Sequence, residues 1–113
     1  MKVFISGAIS SDPEYIQKFS DAALWLVKQG YTVMNPAILP HGFEQDEYLH
    51  VCKAMIDCCG VVAFLPDWVS SPGAKVEHAY ATEKHKEKLY IFRGFNEKSI
   101  DNIRDFYNGG YSR

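Results

Sequence analysis

The sequence lacks both an excess of basic residues and a long apolar run. Its 113 residues contain 12 Lys and Arg against 14 Asp and Glu, a formal charge of -2. Proteins that bind nucleic-acid polymers use basic excess to displace counterions from phosphates, so we expect no polymeric DNA or RNA as a partner. The opening MKVFISGAIS has too short an apolar stretch for a signal peptide or a membrane span. We therefore expect a cytoplasmic protein with no membrane partner.

Cysteine is scarce, and its placement argues against disulfides and metal binding. The three cysteines are Cys52, Cys58 and Cys59, an odd number with two adjacent, which does not fit a disulfide framework. The spacing Cys52-x5-Cys58 supplies no Cys-x-x-Cys pair, and no two of the four histidines share a metalloprotease spacing with an acid. We therefore interpret the cysteines as small apolar residues of a helix and its end, and expect no metal.

Short apolar runs alternate with segments of helical period. The predicted strands are residues 3–6, 31–34, 60–65 and 89–92. The first predicted helix has an apolar face of Ile16, Phe19, Ala23, Leu26 and Val27, and the second has Leu49, Cys52, Met55, Ile56 and Cys59. A third helix begins near Ser71, and a short last helix covers residues 100–106.

This alternation predicts one domain over residues 1–113. The predicted fold class is α/β, a three-layer doubly wound sandwich, Rossmann-like or flavodoxin-like, with a mostly parallel sheet of four to five strands. Such sheets bind ligands at the carboxyl ends of their strands. The candidate loops are therefore residues 6–11, 35–43, 66–71 and 93–96.

The first of these loops, SGAISS, places Ser6, Gly7 and Ser10 at a turn from strand to helix. Backbone N–H groups and the positive end of a helix can hold an anion such as phosphate at such a turn. A plain helix cap fits the loop equally well, because the loop lacks the full G-x-G-x-x-G pattern. Asp67 follows the third strand, where it could bind a sugar hydroxyl or a base, or cap a turn.

The segment SSPGAKVE carries the remaining candidates. Ser71 before Pro72 is a common N-cap and first helical residue at the start of a helix. Gly73 costs roughly 1 kcal/mol against alanine in a first turn, which indicates that something approaches the backbone closely. Glu77 is either a carboxylate kept ionised by the helix dipole and able to attack an anomeric carbon, or a solvated acid paired with Lys75, His78 or Lys84. Spacing alone favours the solvated interpretation.

The motifs KVFISGAIS, VMNPAILP, GVVAFLPDW and SSPGAKVEHAYA, in this order, resemble the nucleoside 2-deoxyribosyltransferase-like superfamily. The resemblance covers roughly residues 2–92 and is strongest for a branch of short bacterial and phage proteins. It implies that the Ser-x-Gly-x-x-x-Glu pattern is matched by Ser71, Gly73 and Glu77, with Glu77 as the nucleophile that attacks the deoxyribose anomeric carbon. It also implies that Ser6 or Ser10, together with Ser71, holds a 5′-phosphate, and that Asp67 is a sugar or base ligand by its location.

Three residues depart from the family pattern. Cys52 and Gly60 stand where the family often has aspartates, which puts base recognition and catalysis in question. Phe4 stands where many relatives have a tyrosine that hydrogen-bonds the glutamate, so we expect a less well oriented nucleophile.

Three functions remain open at this point. The leading one is cleavage or transfer of the N-glycosidic bond of a small nucleoside or nucleotide, for which a carboxylate suffices without cofactor or metal. The second is a binding module that has lost full catalysis, and the third is an interaction protein in which Glu77 is solvated. The resemblance further implies a homodimer or higher homo-oligomer, for which the aromatic residues of the second half provide apolar area: Tyr80, Tyr90, Phe92, Phe95, Phe106, Tyr107 and Tyr111.

Overall fold

The structure of the protein is a computed structural model, and it describes residues 1–91. The predicted last helix, the loop at 93–96 and the aromatic residues beyond Tyr90 lie outside the described residues. The strands are β1 (Lys2–Ser6), β2 (Thr32–Met34), β3 (Val61–Phe64) and β4 (Glu87–Tyr90). The α-helices are α1 (Tyr15–Lys28), α2 (Gln45–Asp57) and α3 (Pro72–Glu83), with short 3-10 helices at Pro36–Ile38 and Pro66–Ser70.

The four strands form one parallel sheet in the order β2-β1-β3-β4. Ser6 is in register with Phe64, and Phe64 with Tyr90, so the carboxyl ends of three neighbouring strands share one edge. Helix α1 packs on one face of the sheet, and α2 and α3 pack on the other. The predicted doubly wound α/β fold class is confirmed.

Strand β3 shows why the sequence folds this way. Every residue from Val61 to Phe64 is buried, as expected for a parallel strand covered on both faces. Alternate side chains join different cores: Val61 and Ala63 pack with α1, while Val62 and Phe64 pack with α2 and α3.

The predicted inner face of α1 is partly wrong. Ile16 and Val27 are 58% and 55% exposed, whereas Trp25 joins Phe19 and Leu26 in the core. The apolar residues of α1 form two overlapping stripes, and the stripe that buries more apolar area packs against the sheet. The indole ring of Trp25 buries more apolar area than the aliphatic side chains of Ile16 and Val27. Phe19 and Leu26 lie on the stripe that is buried.

Both helices on the other face begin with defined caps. Glu44 and Glu47 form a reciprocal capping box at the start of α2. The Ser71 Oγ accepts a hydrogen bond from the Ala74 backbone N–H at 3.2 Å at the start of α3, as the Ser-Pro sequence predicts. These caps set both helix N-termini at the carboxyl edge of the sheet.

Candidate active site

Glu77 is a buried carboxylate aimed at the carboxyl end of β1. It lies in the second turn of α3 and is only 8% exposed. The Ser6 Oγ, at the end of β1 and 1% exposed, donates a hydrogen bond of 2.6 Å to its Oε1. The interpretation of Glu77 as a solvated helix acid is therefore wrong.

Burial controls the charge of this carboxylate. Desolvation raises the pKa of Glu77 to about 7, although the hydrogen bond from Ser6 and the nearby thiol of Cys52 favour the charged form. We expected the helix dipole to keep the group ionised, but the dipole acts mainly within the first turn, and Glu77 lies beyond it. At neutral pH the group is divided between its acid and its carboxylate.

Glu77 lines a cavity of about 700 Å³ at the carboxyl edge of the sheet, within the range of roughly 300–1,000 Å³ that is usual for small-molecule sites. The walls come from the loop after β1, the loop after β2, and the N-terminal turns of α2 and α3. Five residues predicted from the sequence line it: Gly7, Ser10, Ser71, Gly73 and Glu77. Ser6 donates its hydrogen bond to Glu77 from the buried end of β1.

Asp67 has partners within the protein that the sequence did not reveal. Its Oδ1 accepts a hydrogen bond of 3.0 Å from the Ala8 backbone N–H, and its Oδ2 is paired with the Lys18 ammonium. Lys18 also donates to the Ala8 carbonyl at 2.9 Å and pairs with Asp12 at 2.6 Å. Asp67 and Lys18 therefore hold the first loop in place.

Sequence reasoning did not identify Lys18 or Asp12 as part of the site. One signal was present in the sequence: Lys18 directly precedes Phe19, which is a core residue. An ammonium group close to the core needs hydrogen-bond acceptors nearby. Sequence spacing does not show which acceptors those are, because Asp67 is 49 residues away from Lys18.

The two glycines of the site are close to other groups. A Cβ at Gly7 would lie 2.9 Å from Leu65 Cδ1 and 3.1 Å from Asp67 Oδ1, so a side chain there would displace the Leu65 or Asp67 side chain. A Cβ at Gly73 would lie 3.4 Å from Nε2 of Gln45. The group that approaches Gly73 in the structure is thus the Gln45 amide on α2.

An aromatic wall, formed by Tyr15, His41 and Tyr48, also lines the cavity. The Tyr15 hydroxyl and His41 Nε2 are 3.3 Å apart, with the rings edge to face. The Tyr48 hydroxyl donates to the Pro40 carbonyl at 2.5 Å and so fixes the segment that carries His41. Sequence reasoning missed this wall, because Tyr15 and His41 belong to different elements that meet only in the fold.

The three departures from the family pattern have different consequences. Cys52 is buried and lines the same cavity as Glu77. Gly60 is exposed at the amino end of β3 and is not among the residues that line the cavity. Phe4 is fully buried in the core, and Ser6 supplies the hydrogen bond to Glu77 that a phenyl ring cannot make.

Within residues 1–91, no group of three or more His, Cys, Asp and Glu side chains is placed to hold a metal ion. Over the same residues, no helix has the length and apolar character needed to cross a bilayer. The cysteines are free: Cys52 and Cys59 are buried, and Cys58 is exposed, so only two of the three are apolar core residues as predicted.

Comparisons with known proteins agree with this fold. A family model described as a domain of unknown function, DUF4406, matches residues 1–90. The solved CMP N-glycosidase BcmB of Clostridium botulinum is similar with a TM-score of 0.59 and 21% identity, covering 80% of this chain and 68% of that one. No curated protein matches the sequence.

A 2-deoxyribosyltransferase from Leishmania mexicana is similar with a TM-score of 0.61 and 16% identity, covering 80% of this chain and 63% of that one. This chain thus spans less than two thirds of the transferase. Both solved structures are less than 25% identical to this chain, so the similarity is one of fold.

Proposed function

For this chain, which belongs to the DUF4406 family, we propose cleavage or transfer of the N-glycosidic bond of a (deoxy)nucleoside or its 5′-monophosphate, with Glu77 as the nucleophile. The observation that carries the proposal is the Glu77 carboxyl group, which is buried, held by Ser6 at 2.6 Å and open to a cavity of about 700 Å³. Among residues 1–91, the salt bridges are those of Lys18 with Asp12 and Asp67, and none involves Glu77. Burial of an acid without a cationic partner destabilises a fold, and such groups are concentrated at functional sites.

In the first step, a carboxylate oxygen of Glu77 forms a bond to C1′ of the sugar. The bond from C1′ to the base nitrogen breaks, and its electron pair stays on the nitrogen, which takes a proton from solvent. The product is a glycosyl ester on Glu77 and a free base. The hydrogen bond from Ser6 to Oε1 keeps the carboxyl group in one orientation during this attack.

In the second step, water or a second base attacks C1′ and loses a proton to solvent. The ester bond breaks, and Glu77 is again a carboxylate. The use of water gives hydrolysis, and the use of a base gives transfer. Both steps need only the carboxyl group and the cavity that positions the sugar.

The cavity is lined by both polar and aromatic side chains. Ser71 and Gly73 lie at the N-terminus of α3, and Ser10 lines the cavity from the loop after β1; hydroxyl and backbone N–H donors of this kind suit the 5′-oxygen or phosphate. Tyr15 and His41 belong to the aromatic wall, which suits the flat face of a base. The names of the two similar structures, an N-glycosidase and a deoxyribosyltransferase, support this class of reaction.

The test is release of free base from a panel of nucleosides, deoxynucleosides and their 5′-monophosphates, with and without an acceptor base, followed by chromatography. We expect release by the wild type and by Glu83→Gln, a matched control on the exposed part of α3, and none by Glu77→Gln. A requirement for the acceptor would identify a transferase.

Two results would contradict the proposal. Release that survives in Glu77→Gln would show that another group is the nucleophile. Binding of nucleotides in calorimetry without any base release would favour the alternative of a binding module on the same scaffold.

A further inference from the structure

His41 lines the same cavity as Glu77, but it comes from the other side of β1. Glu77 lies on α3, which follows β3, and His41 lies in the loop after β2. In the order β2-β1-β3 these two strands flank β1, which puts their ends roughly 10 Å apart, two spacings of about 4.8 Å. A ligand in the cavity thus has Glu77 on the β3 side and His41 on the β2 side.

The loop that carries His41 is fixed on both sides of this residue. The Tyr48 hydroxyl donates a hydrogen bond to the Pro40 carbonyl at 2.5 Å and accepts one from the Phe43 N–H at 3.3 Å. Gly42, with a φ of 101°, allows the backbone to turn between these two contacts. One phenol on α2 therefore holds the residues that flank His41, and a group that acts on a reacting bond needs such a fixed position.

Tyr15 on α1 contacts one nitrogen of the His41 ring. Its hydroxyl oxygen and His41 Nε2 are 3.3 Å apart. Among residues 1–91, the other ring nitrogen, Nδ1, has no hydrogen bond. A protonated imidazole has an N–H at both nitrogens, so Nε2–H donates to the Tyr15 oxygen and Nδ1–H remains for a ligand. When Nδ1 gives up its proton, the same contact keeps the other proton on Nε2.

The Tyr15 and His41 rings are nearly perpendicular, with an interplanar angle of 77° and centroids 6.4 Å apart. A base is flat, so it can lie against the face of one of these rings but not of both. Stacking on Tyr15 leaves the imidazole of His41 to hydrogen-bond the base through Nδ1.

The acids that follow His41 in the chain serve the start of α2. Glu44 and Glu47 form the capping box, and Asp46 accepts a hydrogen bond from the Glu47 N–H at 3.0 Å. The titratable group in contact with the His41 ring is Tyr15.

Other groups that line the cavity are less suited to give a proton to a leaving base. The hydrogen bond from Lys18 lowers the pKa of Asp12, so this carboxyl group is ionised. Burial raises the pKa of Cys52 to about 12, so its thiol holds its proton firmly. The Tyr48 hydroxyl donates to a backbone carbonyl, and Glu77 must be ionised to attack. Of the described residues, this leaves an imidazole, the side chain that exchanges a proton near neutral pH.

We propose that His41 is the general acid that protonates the base as it leaves, and that Tyr15 is the positioning residue that holds its imidazole. This inference rests on the proposed function. As Glu77 bonds to C1′, the bond from C1′ to the base breaks, and its electron pair goes to the base, which takes the Nδ1 proton of His41. The solvent proton that the base takes up thus reaches it through His41.

The second step restores the acid. Water or a second base attacks C1′ from the side on which the first base left, and its proton goes to the neutral Nδ1 of His41. The ester bond to Glu77 breaks at the same time, and its electron pair returns to the carboxylate. His41 is then protonated again, and no further reactant is needed.

The experiment compares kcat on 2′-deoxyguanosine and on 7-methyl-2′-deoxyguanosine. Guanine needs a proton to leave as a neutral molecule, whereas the methylated base is already cationic and leaves as a neutral molecule without one. We expect His41→Gln to lower kcat roughly 100-fold on the first substrate and less than about threefold on the second. The matched control is His50→Gln, because His50 is exposed on α2 and is not among the residues that line the cavity; it should match the wild type on both.

A pH profile gives a second readout on whichever nucleoside the wild type cleaves fastest, so it decides for any base. The acid must be protonated, so kcat/KM of the wild type should fall at high pH, and this basic limb should be absent in His41→Gln. Tyr15→Phe keeps the ring but removes the hydroxyl, and it should lower kcat roughly tenfold on 2′-deoxyguanosine with little change in KM or on the methylated substrate.

Three results would overturn the inference while Glu77 stands as the nucleophile. These are equal losses of kcat on both substrates in His41→Gln, no loss on either, and a basic limb that persists in this variant. If the wild type releases base from no nucleoside at all, the proposed function fails, and the role of His41 fails with it.

Discussion

Replacement of Glu77 by glutamine should stabilise the protein, and should do so more strongly as the pH rises. The carboxyl group is buried, so it is less easily ionised in the folded protein than in the unfolded chain. Glutamine has nearly the same shape, retains an oxygen that can accept the hydrogen bond from Ser6, and carries no charge at any pH.

The magnitude follows from the two pKa values. Burial raises the pKa of Glu77 from its ordinary value of 4.5 to about 7. Between these values the folded protein binds a proton that the unfolded chain has lost, so the free energy of unfolding falls as the pH rises through this window. The difference corresponds to about 3 kcal/mol, fully developed above pH 7.

The assay is urea unfolding of the wild type and Glu77→Gln at pH 5 and pH 8. We expect the advantage of the variant to be roughly 2–3 kcal/mol greater at pH 8 than at pH 5. Glu83→Gln, on the exposed end of the same helix, should show a small and constant difference. An advantage of Glu77→Gln that is the same at both pH values, or a variant less stable than the wild type at pH 8, would refute the reasoning.

Three further changes test the supporting structure. Gly7→Ala places a Cβ 2.9 Å from Cδ1 and 3.0 Å from Cβ of Leu65 and should reduce the free energy of unfolding by about 1–3 kcal/mol in urea; unchanged stability would contradict the packing. Ser6→Ala removes a donor to Glu77 and should move the acid limb of the kcat/KM profile to higher pH; an unmoved limb would exclude that donor. Lys18→Met breaks the partly exposed salt bridge with Asp67, so we expect the free energy of unfolding in urea to fall by about 1 kcal/mol. We also expect a higher KM; an unchanged KM would show that the position of the first loop does not depend on this salt bridge.

Most of the fold could be predicted from local patterns. The apolar run of β3 and the Ser-Pro start of α3 are signals carried by neighbouring residues, and the structure places a buried strand and a capped helix there. The face of α1 that packs on the sheet could not be predicted, because the spacing of its apolar residues fits two overlapping stripes. Only packing against the sheet selects the stripe with Trp25 over the one with Val27.

Less of the candidate site than of the fold could be predicted from local sequence patterns. Spacing along α3 favours a solvated Glu77, because the residue that hydrogen-bonds it in the fold, Ser6, is 71 residues away in sequence. Resemblance to a family pointed to Glu77, but not to its surroundings. Cys52 and Glu77 line the same cavity because α2 packs on α3, which no local period encodes.

Trapping of a covalent intermediate is the measurement that tests the central claim most directly. The protein would be incubated with a nucleoside that carries fluorine on C2′, which destabilises the positive charge at C1′ and slows loss of the glycosyl group. It would then be digested for peptide mass spectrometry. The account predicts one added fluorinated glycosyl group on the peptide containing Glu77, and none in Glu77→Gln. A glycosyl group on another residue, or base release without any protein adduct, would contradict Glu77 as the nucleophile.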